Sequence, residues 1–122
     1  MSFKVVYIED NVDNIEIVTS ILGRHNYEVE VATDGDMGVE VVKEYQPDII
    51  ICDYHLPGLN GPEVVQTIRD IPEFTDTPII MLTADIYSRA NSIKAGVDVY
   101  LNKPIRRKQL LSAMEDVIAK MK

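Results

Sequence analysis

Four apolar runs in this chain each lead to a side chain able to do chemistry. Residues 4–8 (KVVYI) run into Glu9-Asp10, 49–52 (IIIC) into Asp53 and 78–82 (PIIML) into Thr83, while 99–101 (VYL) are followed closely by Lys103-Pro104. If such runs are neighbouring parallel strands, a spacing of ~5 Å brings the acids together. Carboxylates that close repel one another unless a cation joins them. A donor set made only of oxygens suits a hard ion such as Mg2+, which keeps several waters and favours phosphate as an added ligand. With a hydroxyl from Thr83 and an ammonium from Lys103, the group forms a trap for a phosphoryl group. Charge on its oxygens would be neutralised while one carboxylate attacks in line. Asp53 is the candidate nucleophile, because it follows the run expected at the centre of the sheet, and its product would be an acyl phosphate.

The elements that must position these residues alternate along the chain. After the first run, Ile15, Val18, Ile21 and Leu22 recur at helical spacing, with Gly23 near the end of that helix. VEVA at 29–32 reads as a second strand, and Asp34 can cap a helix whose apolar side includes Val39 and Val42. A third helix is expected from about Pro62, since proline suits a first turn. A fourth ends near Ala95-Gly96, and Leu110, Leu111, Met114, Val117, Ile118 and Met121 mark an amphipathic last helix. Strands each followed by a helix imply a parallel sheet with helices on both faces. Strands without polar alternation fit that double burial. In such an open sheet the ligand site lies outside the carboxyl ends of the strands, which is where the reactive residues fall.

Bulk composition sets limits on function. The 122 residues are 46% hydrophobic and 26% charged, those of a single α/β domain of ordinary size. No apolar run approaches the ~20 residues of a membrane helix, and no secretory leader is evident. The lone Cys52 cannot form an internal disulfide, so a reduced, cytoplasmic location is expected, with no membrane partner. A net charge of −8 argues against direct nucleic-acid binding. That charge is uneven: residues 102–122 carry +4 and the remainder −12. The basic stretch Arg106, Arg107 and Lys108 is either a solvated helix face or a docking surface.

YIEDN at 7–11, IICDYHLPGLNG at 50–61, MLTA at 81–84 and AGVDVYLNKP at 95–104, in this order and spacing, resemble the response-regulator receiver domains of two-component signalling. The resemblance runs the length of the chain, 1–122. It implies a flavodoxin-like (βα)5 three-layer sandwich with strand order 2-1-3-4-5, an order for which the chemotaxis member is a standing example. Position by position, it implies that Glu9 and Asp10 organise Mg2+ with Asp53, that the backbone carbonyl of His55 is a further metal ligand, and that Asp53 is the phosphoacceptor. Thr83 matches the switch hydroxyl, Tyr100 the aromatic residue that turns inward with it, and Lys103 the phosphate-contacting lysine, with a cis bond to Pro104. His55 and Asp85 fall at positions that tune the lifetime of the aspartyl phosphate. Leu56-Pro57 stands where methionine-proline is usual, a volume-conserving change.

The implied function is a stand-alone phosphorelay receiver that catalyses its own phosphorylation and dephosphorylation without turning over an external substrate. The donor would be a histidine kinase or histidine phosphotransfer protein. The output would be a protein target on the face formed by the fourth helix, fifth strand and fifth helix, from a monomer or a phosphorylation-dependent dimer. A receiver module belonging to a hybrid kinase or a longer regulator is the alternative.

Asp53, His55 and Gly58 also spell D-x-H-x-x-G, a cobalamin-binding signature. That motif belongs after a first strand, with a Gly-Gly pair downstream, and this chain has no such pair. A phosphatase with an aspartate nucleophile would need D-x-D-x-T after the first strand, which is missing. A binding-only relative would have lost one of Asp10, Asp53 or Lys103. Taken singly, Asp10 reads as a helix cap, Thr83 as a strand end, Tyr100 as packing, His25 as a surface residue and Cys52 as a small buried hydrophobe.

Overall fold

A computed structural model describes residues 2–121. Strands β1 (Phe3–Ile8), β2 (Tyr27–Ala32), β3 (Ile49–Cys52), β4 (Ile79–Thr83) and β5 (Val99–Asn102) form one parallel sheet in the order β2-β1-β3-β4-β5. They alternate with helices α1 (Val12–Gly23), α2 (Gly35–Tyr45), α3 (Gly61–Arg69), α4 (Arg89–Ala95) and α5 (Arg107–Lys120). The alternation of strands and helices implies the parallel sheet with two helical layers, and the strand order is the flavodoxin-like one that the resemblance to receiver domains implies.

Two apolar layers hold the sheet, one on each face. Successive side chains of a strand point to opposite faces, so Ile49 and Ile51 pack toward Val18, Leu110 and Met114 of α1 and α5. Ile50 and Cys52 pack toward Val39, Val64 and Ile68 of α2 and α3. All four β3 residues are fully buried, which explains a run with no polar alternation.

Ladder hydrogen bonds continue past the strand ends and fix the reactive residues. The N–H of Asp53 donates to Ile8 O at 3.0 Å, that of Glu9 to Ala32 O at 2.9 Å, and that of Lys103 to Thr83 O at 2.8 Å. The backbone carrying the chemistry is therefore part of the sheet's rigid edge.

Most element boundaries lie within two residues of the sequence reading, and the differences have local causes. β2 starts at Tyr27, two residues early, because Tyr27 is buried against the α1–α5 layer whereas Glu28 faces solvent. α1 is capped by Asn11, whose Oδ1 accepts from Asn14 N at 2.9 Å, so Asp10 is not the cap. Asp34 does cap α2, accepting from Met37 N at 2.7 Å. Met121 lies just past α5 with 45% of its surface exposed and takes no part in the buried stripe.

Arg69, at the end of α3, ties down the opposite edge of the sheet. Nε and Nη2 donate to Gly96 O, Nη1 to Phe74 O and Thr77 O, and Nη2 also to Asp98 Oδ2, at 2.6–3.1 Å. All five donors of a planar guanidinium are thereby engaged, a geometry that a lysine ammonium cannot reproduce. Arg69→Lys is expected to leave carbonyls of the α4 cap and the β4 approach short of donors, costing about 2 kcal/mol. Thermal unfolding by circular dichroism should show a Tm lower by roughly 5–10 °C; an unchanged Tm would contradict this role.

Candidate functional site

The carboxyl edge of the sheet brings Glu9, Asp10 and Asp53 together. Each offers an oxygen within 4.8 Å of the others; Glu9 and Asp53 are buried and Asp10 is exposed. Glu9 has no exposed surface and Asp53 only 7%, so their charges are placed where repulsion is weakly screened. Lys103 answers that repulsion. Its Nζ lies 2.7 Å from Glu9 Oε1 and 3.2 Å from Asp53 Oδ2, joining β1, β3 and the segment after β5 through one ammonium.

The titration behaviour follows from this packing. Burial pushes the Glu9 carboxyl above its ordinary value and the nearby Asp53 charge adds to this, while the Lys103 hydrogen bond pulls the other way. Burial alone would depress Lys103, but the Glu9 hydrogen bond and the attraction of both acids outweigh it and raise the ammonium. Lys103 thus remains a cation at neutral pH. Burial also raises the Cys52 thiol, which stays protonated and donates to Asp53 O at 3.2 Å. The thiol is a buried small group, as its place in the apolar run suggests.

The donors present fit a hard divalent ion. Every candidate ligand is a carboxylate oxygen, with the peptide carbonyl of His55 two residues beyond Asp53 as an added possibility. Asp53 Oδ1 accepts from the neighbouring Tyr54 N at 2.7 Å, which fixes the carboxylate's orientation. Both oxygens of Glu9 are engaged within the protein, Oε1 by Lys103 and Tyr7 and Oε2 by Asn11 N at 3.3 Å.

Thr83, the last residue of β4, is fully buried, and its Oγ1 accepts from Asp85 N at 3.2 Å. Tyr100 is half-buried against the α2–α3 layer, its hydroxyl against Asp85 O and 2.7 Å from Ser88 Oγ. The loop leaving Thr83 is therefore anchored to the middle of β5. The Lys103–Pro104 peptide bond is cis.

Three contacts of the site go beyond what the motifs themselves specify. His55 Nε2 lies 2.9 Å from Asp85 Oδ2, bridging the loops after β3 and β4, while 69% of the His55 side chain remains exposed. The backbone hydrogen bond from Tyr87 N and the His55 contact hold the Asp85 carboxyl below its ordinary value. The resemblance singles out both positions, each two past a reactive residue, and the contact between them is what the structure adds. Gly61 opens α3 directly beneath the site, its N–H donating to Tyr54 O at 2.7 Å. Nothing in the sequence distinguishes it from an ordinary helix-start glycine. Tyr7 opens the YIEDN stretch, but its place in an apolar run says nothing of the hydroxyl's contact with Glu9. His25, read as a surface residue, is exposed but accepts from Arg107 Nη2 at 2.9 Å.

Comparison with known proteins gives a consistent result. The family model described as the response regulator receiver domain matches residues 5–115. The hybrid signal transduction histidine kinase D of Dictyostelium discoideum is 31% identical over 120 residues, covering 97% of this chain and 8% of that protein. The DNA-binding response regulator MtrA of Mycolicibacterium paratuberculosis is 30% identical over 114 residues, 92% of this chain and 49% of that protein. The chain thus spans less than half the length of these curated relatives. The solved receiver domain of the sensor histidine kinase PA1611 from Pseudomonas aeruginosa, described with a magnesium ion coordinated in its active site cleft, is similar with a TM-score of 0.89. Its identity is 30%, over 95% of this chain and 97% of that one.

The tight approach of Gly61 yields a test. A Cβ there would sit 2.5 Å from Asp53 O and 2.7 Å from Tyr54 Cα, both backbone atoms that cannot swing away. Gly61→Ala must push α3 off the segment that carries Asp53, a strain of about 1–3 kcal/mol. Mg2+ affinity, followed by NMR titration, is expected to fall roughly tenfold, as for other changes that shift a ligand's support. Wild-type affinity in this variant would show that the contact does not position the acid.

Proposed function

The chain belongs to the response regulator receiver domain family, which serves as a phosphoacceptor in signalling, and on that premise we propose that Asp53 is its phosphorylation site. The observation that carries the assignment is the ammonium of Lys103 shared between Asp53 and Glu9, with Asp10 alongside. A buried carboxylate held this way has a cation already placed for the charge that a phosphoryl group brings. The N–P bond of a phosphohistidine breaks as a carboxylate oxygen of Asp53 forms the new O–P bond, and the donor imidazole keeps the electron pair. Glu9, Asp10, Asp53 and the His55 carbonyl would hold Mg2+, which when bound neutralises phosphoryl oxygens and orients them for in-line attack. The protein catalyses its own phosphorylation and dephosphorylation and turns over no external substrate.

The donor is a histidine kinase or a phosphotransfer protein. The response runs through Thr83, whose hydroxyl closes on the phosphoryl group, and through Tyr100 to the face made by α4, β5 and α5. That face is supported as a binding surface by Arg106, Arg107 and Lys108, all exposed where α5 begins. Cations at a helix amino end oppose its dipole, so they are poorly explained by helix stability. An acidic partner surface would offset that cost. Residues 1–122 act as one receiver unit in a cytoplasmic setting. Among the described residues no helix is long and apolar enough to cross a membrane.

Acetyl phosphate with Mg2+ should add the mass of one phosphoryl group, and Asp53→Asn should abolish that gain. Retention of the gain in the asparagine variant would overturn the assignment. The His55–Asp85 bridge closes the same sheet edge, so His55→Ala should still accept the phosphoryl group but lose it several-fold faster. An unchanged decay in a phosphate-release assay would remove His55 from the control of lifetime.

A further inference from the structure

Tyr7 is the one residue of the central β1 run whose side chain carries a hydroxyl, and it has no exposed surface. It lies two residues before Glu9, which extends the β1 ladder by one residue, so both side chains stand on the same face of the sheet. Its ring sits in the layer between the sheet and α1 and α5, packed with Val5, Ile51 and Leu82. A branched aliphatic residue would fill such a layer without the cost of burying a polar group. The hydroxyl instead reaches up to Glu9 Oε1 at 3.1 Å. The phenol O–H is the only proton between these two atoms, so Tyr7 donates and the carboxylate accepts.

Glu9 is held from three directions. Tyr7 donates from the core side, Asn11 N from the loop, and Lys103 Nζ from across the site, the last shared with Asp53. Of these, Lys103 is the donor that the phosphoryl reading draws away, since the same ammonium is to meet the incoming phosphate. A fully buried carboxylate that loses its ammonium would be free to swing unless another donor held the same oxygen. Tyr7 is placed on that oxygen.

We propose that Tyr7 is a positioning residue of the phosphoryl site, its buried hydroxyl holding Glu9 Oε1 so that the carboxylate keeps its place beside Asp10 and Asp53 when Lys103 moves to the phosphate. This inference rests on the reading of Asp53 given above, and its test separates the two. Tyr7→Phe keeps the ring and removes only the donor.

In the metal-free variant, the side-chain carboxyl 13C resonance of Glu9 and the Nζ resonance of Lys103 are expected to shift while backbone amides of the core stay in place. Mg2+ affinity is expected to fall roughly tenfold, in the range seen when a ligand's supporting hydrogen bond is removed. The acetyl phosphate reaction should show a raised Mg2+ requirement with little change in the rate at saturating Mg2+. Because Tyr7 acts through Glu9, adding Tyr7→Phe to Glu9→Gln should change Mg2+ affinity little further, a non-additivity that a packing defect would not produce. Unshifted Glu9 and Lys103 resonances, or an equal loss of Mg2+ affinity in the Glu9→Gln background, would overturn the proposal. Should wild-type protein fail to take up phosphate while the resonances still shift, the function assigned to Asp53 would fall and the Tyr7–Glu9 link would stand.

Discussion

Everything at the working edge of this molecule depends on one electrostatic problem, the placing of two buried carboxylates within reach of each other. Glu9 and Asp53 directly follow the adjacent parallel strands β1 and β3, whose last residues Ile8 and Cys52 are paired, so the sheet spacing leaves them little room to part. Lys103 supplies the compensating charge from the far side of the sheet, beyond β4 and β5. The ammonium must reach inward across Thr83, to which its own backbone N–H is bonded. The same constraint makes the site responsive. A carboxylate pair held by a single shared ammonium changes its balance as soon as another charged group competes for that ammonium.

Rigidity of the frame is what allows this small imbalance to be useful. β3 is buried on both faces and laddered to β1 and β4, so Asp53 cannot relieve repulsion by drifting. Close packing beneath it reinforces the point. Gly38 lies against Ile8, Gly35 against Leu59, and Gly61 against the backbone of Asp53 and Tyr54, each too near for a Cβ. The helices α2 and α3 thus press directly on the end of β1 and on the segment 53–59 that carries Asp53. The loop after β4 is held differently, by side-chain hydrogen bonds among Asp85, Ser88 and Tyr100 and by the exposed His55–Asp85 contact. Hydrogen bonds of this kind exchange partners more readily than a packed layer rearranges. The division places stiffness around Asp53 and adjustability around Thr83.

Legibility in the sequence tracked this division. The buried strands announced themselves: Ile49–Cys52 and Ile79–Met81 are apolar throughout because both faces are covered. Acids, hydroxyl and lysine at their ends are grouped by the parallel topology itself. Features that depend on distance between side chains were hidden. Asn11 rather than Asp10 caps α1, because Asp10 is turned toward the acid cluster, and neighbouring polar residues compete for a cap in ways that type alone does not settle. Arg69 looks like any cation at a helix end until its carbonyl partners are placed around it. Tyr7 counts as apolar in any periodicity argument, since its ring is buried as a strand residue should be and only the position of its hydroxyl tells otherwise.

The charge distribution links the site to the rest of the surface. The +4 balance of residues 102–122 begins with Lys103, which is drawn inward, and continues with Arg106, Arg107 and Lys108, which face solvent. Only Pro104 and Ile105 separate Lys103 from Arg106, and Arg107 and Lys108 open α5 directly after it. Arg89 adds a cation on the α4 side, stacked over the Tyr100 ring at 5.7 Å from its centroid. The aromatic ring therefore touches the buried layer on one side and a surface cation on the other, while its hydroxyl holds the loop that leaves Thr83. A ring in that position cannot turn without moving both the loop and the cation. Sequence proximity on the β5 side and side-chain contact on the α4 side thus converge on one surface, the one that the proposed phosphorylation of Asp53 would have to reach.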